Sequence, residues 1–381
     1  MDIKDTNENA EFDHYTYFCL HKPSSLALKK QRKVLLAISG GVDSTTAAIL
    51  LKQQGFDITA IHFEFYKSNV HEESMIGIST ICEQLNIPLV QLDISKEFEA
   101  TVFPYYGSEY LTGRTPCPCS YCNLNVKWRY LYQYASDNGF DQIATGHYIR
   151  ISAIDGFFRI LRGIDPAKDQ SYFLWNLPQE YLAKSIMPLG NLTKSEVKTI
   201  AAQWGFEQLA RKPESMGVCF LRGKDYRIFL EEQSILNKGI AGDIVDENGV
   251  TIGTHDGIHR YTIGQKRGIA NIPKNKCVVR IDAEKNQLHI GPWDSLFFDT
   301  LKLTNCILTG VEAGVHNNVK VMIRGFGQNP QLECTLKLGD NGQAIVELND
   351  PAWAPMQGQP TVVYSNDILL GGGYLLSAWN R

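Results

Sequence analysis

The rhythm of apolar and polar positions changes three times along the chain. Residues 1–30 show no periodicity and read as a polar amino-terminal extension. From Lys33 the apolar run KVLLAI ends at Ser-Gly-Gly, and TTAAILLKQQG after it has helical spacing with a stop at Gly55. ITAIHFEF predicts a second strand, residues 72–86 a second helix and IPLVQLD a third strand. Strands alternating with helices in this way imply an α/β fold with a doubly wound parallel sheet. VKWRYLYQYASDNG again has helical spacing with a glycine end, and DQIATGHY reads as a buried strand running into a loop. Leu192, Thr193 and Glu196 open one more helix, because Thr-x-x-Glu before an apolar periodic run is a capping box. Beyond Gly239 the vocabulary turns to β: DENGV, DAEKNQ, GDNGQ and YSNDILLGGG punctuate short alternating runs. The division expected is an extension at 1–30, an α/β domain at 31–235, a small β-rich central domain at 236–290 and a β-barrel or sandwich at 291–381.

Composition narrows the classes. At 381 residues and 44% hydrophobic the chain can fill two or three cores. No window approaches the roughly 18 apolar residues that crossing a bilayer needs, and the start MDIKDTNENAEFD is acidic and polar, unlike a signal peptide. The expectation is a soluble cytoplasmic protein without membrane association. A net charge of −4 argues against a surface coated in positive charge for indiscriminate nucleic-acid binding. It leaves room for local basic faces at Lys29, Lys30, Arg32 and Lys33, at Arg211, Lys212, Arg222, Lys224 and Arg227, and at Arg260, Lys266 and Arg267; each taken alone reads as solvated surface charge. Nine cysteines without a secretion signal speak against a disulfide framework and for catalysis or metal binding. Cys19, Cys82, Cys277, Cys306 and Cys334 stand singly and read as small core residues. The segment TPCPCSYCN, with Cys117, Cys119 and Cys122, does not.

SGGVDS, Ser39 to Ser44, falls where a strand meets a helix. Its two glycines let the backbone curl so that amides and the helix amino terminus converge on one anion. It lacks the Gly-Lys-Ser/Thr ending of a Walker loop. It resembles instead the PP-loop of N-type ATP pyrophosphatases, which cut ATP between the α and β phosphates and adenylate a substrate oxygen; the alternative is an incidental glycine-rich turn. In that comparison Asp43 helps organise magnesium, while Ser39, Gly40, Gly41 and Ser44 hold pyrophosphate, flanked by Ala37, Ile38 and Val42. An adenylated oxygen is a leaving group and needs a nucleophile. A helix beginning after Asn123 would place Cys122 at its amino end and depress its thiol pKa.

AISGGVDS, GRTPCPCSYCNLNVKW, IATGHY, KDQSYFLWNL, MPLGNLTKSEV, ESMGVCFL and RYTIGQKRGI occur in this order. Together they resemble the bacterial tRNA-specific 2-thiouridylase family, within the PP-loop ATP pyrophosphatase superfamily, from about Lys33 to the carboxyl end. The resemblance implies a PP-loop domain, a small central domain and a carboxyl-terminal β-barrel that binds tRNA. It implies ATP-dependent replacement of O2 of the wobble uridine by sulfur, with ATP and Mg2+ as cofactors and AMP and pyrophosphate as products. Its partners would be tRNA with a wobble uridine and a sulfur donor protein such as a cysteine desulfurase or persulfide relay. Position by position, Cys122 matches the nucleophile and Cys219 the cysteine that receives persulfide sulfur. Phe63 and Gly146 match ATP contacts; His147, Lys168, Asp169, Gln170 and Gln359 match tRNA contacts; Cys117, Pro118 and Cys119 match the segment facing the target base. Where the family usually has Asn-Pro-Asp this chain has Cys117-Pro118-Cys119, and Glu214-Ser215-Met216-Gly217 replaces the usual Asp-Ser-Gln/Thr-Gly.

His147 alone would pass for an ordinary hydrogen-bonding loop histidine, but ligands in open α/β sheets collect at the carboxyl ends of strands, where IATGHY puts it. Cys119, Cys122 and Cys219 are expected to ligate a 4Fe-4S cluster with one open iron, or a zinc with an open fourth position, if the fold gathers them. Against this, three clustered cysteines lack the usual four-ligand spacing. Cys117 is the weakest ligand, since Pro118 holds it in an extended dipeptide. Two rival readings are a PP-loop adenylating ligase or amidotransferase, for which no ammonia-supplying segment is found, and a zinc-stabilised RNA-binding module, for which a second ligand pair is missing.

Overall fold

β1, Lys33–Ala37, has Val34, Leu35 and Leu36 fully buried. Apolar on both faces, it suits the middle of a parallel sheet. It pairs in parallel with β2, Asp57–Glu64, on one side and β4, Gln142–Ala144, on the other. With β3, Leu89–Asp93, and the two-residue β7, Ser185–Ile186, the order is β3-β2-β1-β4-β7. The computed structural model describes residues 31–381 apart from 67–70, 214–216, 222, 234–238 and 270–271. The extension with Cys19, Lys29 and Lys30 lies outside the described residues, as do Glu214, Ser215, Met216 and Arg222.

Helices connect the strands: α1, Val42–Gln53, follows β1, and α2, His71–Leu85, follows β2. α3, Ser95–Leu111, is a helix the pattern reading left out. Pro104 and Gly107 interrupt the local signal, yet Phe98, Val102, Phe103, Tyr106 and Tyr110 lie buried along it and hold it in place. α4, Pro118–Cys122, runs through a π-turn at Asn123–Lys127 into α5, Trp128–Asp137. The short α6 is Gln179–Ala183, and α7, Lys194–Gln203, starts at the expected capping box of Thr193 and Glu196. α8, Glu207–Arg211, and α9, Tyr226–Glu232, complete this half.

The central sheet, β8 (Gly242–Val245), β9 (Thr251–His255), β10 (Lys276–Asp282) and β11 (Gln287–Pro292), has the order β10-β11-β8-β9 and closes over Ile244, Ile258, Val278, Leu288 and Ile290. The last six strands are β12 (Phe297–Leu308), β13 (Gly314–Met322), β14 (Cys334–Leu338), β15 (Ala344–Trp353), β16 (Pro360–Ser365) and β17 (Ile368–Trp379). β12 pairs with both β15 and β17, so they close into a barrel, not a sandwich. A hairpin inside the α/β half of the sequence, β5 (Ile149–Ile154) and β6 (Phe157–Arg162), joins the barrel's sheet where Leu161 meets Ile368. Its turn residues Asp155 and Gly156 both have positive φ, the backbone a two-residue hairpin requires.

The largest core draws Leu35, Phe63 and Ile143 together with Val362, Tyr364 and Leu369 of the barrel, and Arg32–Arg381 forms one compact unit. Cys82, Cys277 and Cys334 are buried as expected, and Cys306 is half-buried. Among the described residues no helix is long and apolar enough to cross a membrane.

Candidate functional site

The SGGVDS loop turns from β1 into α1. Gly40 has φ +74, and a Cβ there would stand 2.9 Å from Cγ1 of Ile78, so only glycine fits without displacing the neighbour. Gly41 is the N-cap of α1 and has no side chain to satisfy the first amides, which leaves them directed at a ligand. Ser44 folds back over the loop: its Oγ accepts from the Ser39 amide at 3.2 Å and donates to the Gly41 carbonyl at 3.1 Å. Ile38 is buried, its amide donating to the Ile61 carbonyl at 2.9 Å, and Val42 is buried at the start of α1.

Asp43 is held from two directions. Nζ of Lys194 donates to its two carboxylate oxygens at 2.7 and 2.8 Å, and the Tyr148 hydroxyl donates to Oδ1 at 2.6 Å. The Asp43 side chain keeps 35% of its surface, so one face stays open to a ligand. Phe63 lies buried on β2 in the core behind the loop.

The strand-end segment Thr145–Tyr148 links this loop to the cysteines. A Cβ on Gly146 would come within 2.9 Å of the Ser44 amide nitrogen and 3.0 Å of the Asp43 carbonyl carbon, so Gly146 lies flat on the first turn of α1. His147 follows it, with Nδ1 2.8 Å from the Thr145 hydroxyl and its ring 6.2 Å from that of Trp128. Burial, aided by the Lys127 ammonium, pushes the His147 imidazole down to about 3, so the ring is neutral near pH 7.

The cysteine segment departs from expectation. α4 begins at Pro118 with Cys117 as N-cap, so Cys122 sits a full turn inside the helix and not at its amino end. Pro118 at the first position is pre-set for that start. Burial raises the Cys122 thiol to about 12 against the opposing pull of Lys127, and it raises Cys119 to about 11. The expected depression of the Cys122 pKa is therefore overturned: desolvation outweighs both the helix and the lysine. Cys219 is exposed and anchored by its neighbour Phe220, which packs among Phe98, Phe103, Tyr106 and Phe229. A Cys219 thiolate raises both Cys119 and Cys122, which places the three thiols in one electrostatic neighbourhood. Cys117 is buried in the main core, among Tyr105, Tyr172 and Tyr374. Among the described residues no group of three or more His, Cys, Asp or Glu gathers tightly enough to hold a metal ion. The expected 4Fe-4S cluster or zinc on Cys119, Cys122 and Cys219 therefore has no matching ligand group among the described residues.

Of the residues matched to tRNA contacts, Lys168, Asp169 and Gln170 lie in a loop that is largely self-supporting. Asp169 accepts from the Gly163 amide, the Ser171 amide and hydroxyl and Arg162, with its side chain 5% exposed. Gln170 accepts from the Tyr148 amide at 3.0 Å, tying this loop to the strand end, and Lys168 is half-buried beside it. Gln359 enters β16 with its carboxamide on the cysteine loop, donating to the Thr115 and Pro116 carbonyls at 3.2 and 2.9 Å.

Residues 32–223 match the tRNA methyl transferase HUP domain, 229–292 the tRNA methyl transferase PRC-barrel domain and 299–375 the aminomethyltransferase beta-barrel domain. A tRNA-specific 2-thiouridylase of Phocaeicola vulgatus is 37% identical over 350 residues, covering 91% of this chain and 99% of that protein. One of Geotalea uraniireducens is 38% identical over 369 residues, covering 92% and 96% respectively. One of Chlorobium chlorochromatii is 38% identical over 352 residues, covering 90% and 97%. The chain belongs to the tRNA-specific 2-thiouridylase family.

In this 2-thiouridylase burial raises the Cys119 thiol to about 11, so it is uncharged near pH 7. Lys194 is the functional residue that sequence reasoning missed. A cation at the first position of a helix opposes the macrodipole, and Lys194 is only 9% exposed. A basic residue so placed needs an anion from elsewhere in the fold, and Asp43 is that anion.

Proposed function

We propose that this protein is an ATP-dependent tRNA-uridine 2-sulfurtransferase that converts the wobble uridine of tRNA to 2-thiouridine. The observation that carries the reading is the segment Thr145–Tyr148. Gly146 lies on the PP-loop backbone, Tyr148 binds Asp43, and His147 shares the Lys127 ammonium with Cys122. A nucleotide site and a thiol pair on one short strand end suit two reactions on one substrate carbon.

In the first reaction, O2 of the uridine attacks the α phosphorus of ATP, the α–β bond breaks, and pyrophosphate leaves onto the amides of Gly40, Gly41 and the start of α1. Asp43 fits a magnesium ion in the usual way, one protein carboxylate completed by substrate phosphates. In the second, a persulfide on Cys219, loaded by a sulfur donor protein, adds its terminal sulfur to C2 and AMP leaves. Cys122 then attacks the sulfur still attached to Cys219. The S–S bond of the persulfide breaks, 2-thiouridine departs, and a Cys122–Cys219 disulfide remains for an external thiol to reduce. A buried, neutral Cys122 thiol suits this order, since it stays unreactive until a base or the departing phosphate takes its proton. Acting on tRNA with ATP, the protein would work in the cytoplasm.

The test is nucleoside mass analysis of tRNA incubated with purified protein, ATP, magnesium and a persulfide donor. 2-Thiouridine with stoichiometric AMP is expected. AMP with no sulfur in the tRNA, or ammonia-dependent product, would transfer the site to the ligase class.

A further inference from the structure

Gln359 was matched to a tRNA contact, but its side chain is committed inward. Nε2 donates to the carbonyls of Thr115 and Pro116 at 3.2 and 2.9 Å. Oε1 accepts from the Tyr172 hydroxyl at 3.2 Å, and that buried hydroxyl also reaches the Pro360 carbonyl at 2.9 Å. The Thr115 amide donates in return to the Gln357 carbonyl at 2.9 Å. Between these contacts Gly358 has φ +86, and a Cβ there would stand 2.6 Å from Oε2 of Glu109 and 3.2 Å from the Thr115 carbonyl. The barrel turn and the cysteine loop are pressed together as closely as backbone allows.

The loop cannot hold itself. Pro116 and Pro118 have no N–H, so the stretch ahead of α4 is short of donors while its carbonyls still need partners. A carboxamide carries two donors on one nitrogen and suits two successive carbonyls.

We propose that Gln359 is a positioning residue for the cysteine helix: held by Tyr172, it clasps Thr115 and Pro116 from the barrel, sets where α4 starts, and so fixes Cys119 and Cys122 for sulfur transfer. Its activity arm rests on the sulfurtransferase reading; its thiol arm does not.

The experiment uses the full chain with Q359M, which keeps length and removes both donors, and Q359E, which opposes two carbonyls with a carboxylate. In Q359M, alkylation of Cys119 and Cys122 by iodoacetamide, mapped on peptides, is expected to rise about tenfold as the loop opens. The kcat of thiolation should fall by about the same factor while the tRNA Kd stays within about twofold. Q359E should be worse at pH 8 and recover relative to wild type at pH 6, because a protonated carboxyl regains one donor. Glu109 and Arg114, paired at 3.7 Å, and Tyr172 face the same spot in both proteins and cancel in that ratio. Unchanged alkylation in Q359M overturns the proposal, as does a raised tRNA Kd with unchanged kcat, which returns Gln359 to tRNA. If Q359E fails to fold, alkylation of Q359M decides alone. If wild-type protein makes no 2-thiouridine, the functional reading fails and the alkylation result still judges the clasp.

Discussion

The PP-loop and the cysteine segment sit on one compact unit and are built in opposite ways. The PP-loop is local: strand, two glycines and helix follow within about a dozen residues, and the phosphate-directed amides are a property of that stretch. Its charge control alone is remote, since Lys194 arrives from 151 residues away. The cysteine segment is remote almost throughout. Its thiols are set by burial among aromatics of α3 and the barrel, its loop by Gln359, and its partner Cys219 by Phe220. A local site tolerates distant change and fails at its own residues; an assembled site fails from many directions.

The largest effect should come from Asp43→Asn, which keeps the shape but removes the carboxylate's negative charge from the magnesium site. Pyrophosphate release from ATP in the presence of tRNA should drop at least about 10³-fold. A wild-type rate would show that the loop's chemistry does not pass through Asp43. Cys219→Ser should separate the two sites completely: AMP-activated tRNA still forms, and 2-thiouridine does not. Full thiolation by this variant from a persulfide donor would remove Cys219 from the pathway.

Gly146→Ala tests the link between the sites. Its methyl would press on the Ser44 amide at 2.9 Å, so ATP affinity should weaken about tenfold, with a smaller change in cysteine alkylation rate than in ATP binding. Equal changes in both would make the two sites one structural unit, not a local and an assembled one.

The effect furthest from the chemistry is in stability. His147 is pushed down to about 3 from an ordinary value of 6.5, so the unfolded chain binds its proton first. As pH falls from 6.5 towards 3, His147 should cost roughly 1 kcal/mol per pH unit, a slope that His147→Gln removes. Chemical denaturation at several pH values would show parallel curves for the two proteins if the imidazole titrated normally.

Thr193 and Glu196 announced α7, and Gly40 announced a left-handed turn, because capping and positive φ are properties of a few neighbouring residues. The start of α4 was misjudged by several residues. Pro118 licensed that start, but only Gln359, from the far end of the chain, shows why the loop holds it. α3 went unseen because Pro104 and Gly107 hid a stripe of apolar residues that only the core rewards. The hairpin Ile149–Arg162 reads as part of the α/β half and yet extends the barrel's sheet, since strand pairing is chosen by free edges and not by sequence order.

The sequence by itself determined the parallel sheet, the phosphate loop and the gathering of three cysteines in one short segment. Each follows from short-range physics: backbone freedom at glycine, side-chain periodicity and the chemistry of sulfur. Tertiary structure decided the ionisation of Cys122, the neutral state of His147, the Lys194 partner of Asp43 and the inward commitment of Gln359. Those depend on desolvation and on pairing across more than a hundred residues, and only the folded chain sets dielectric and distance together.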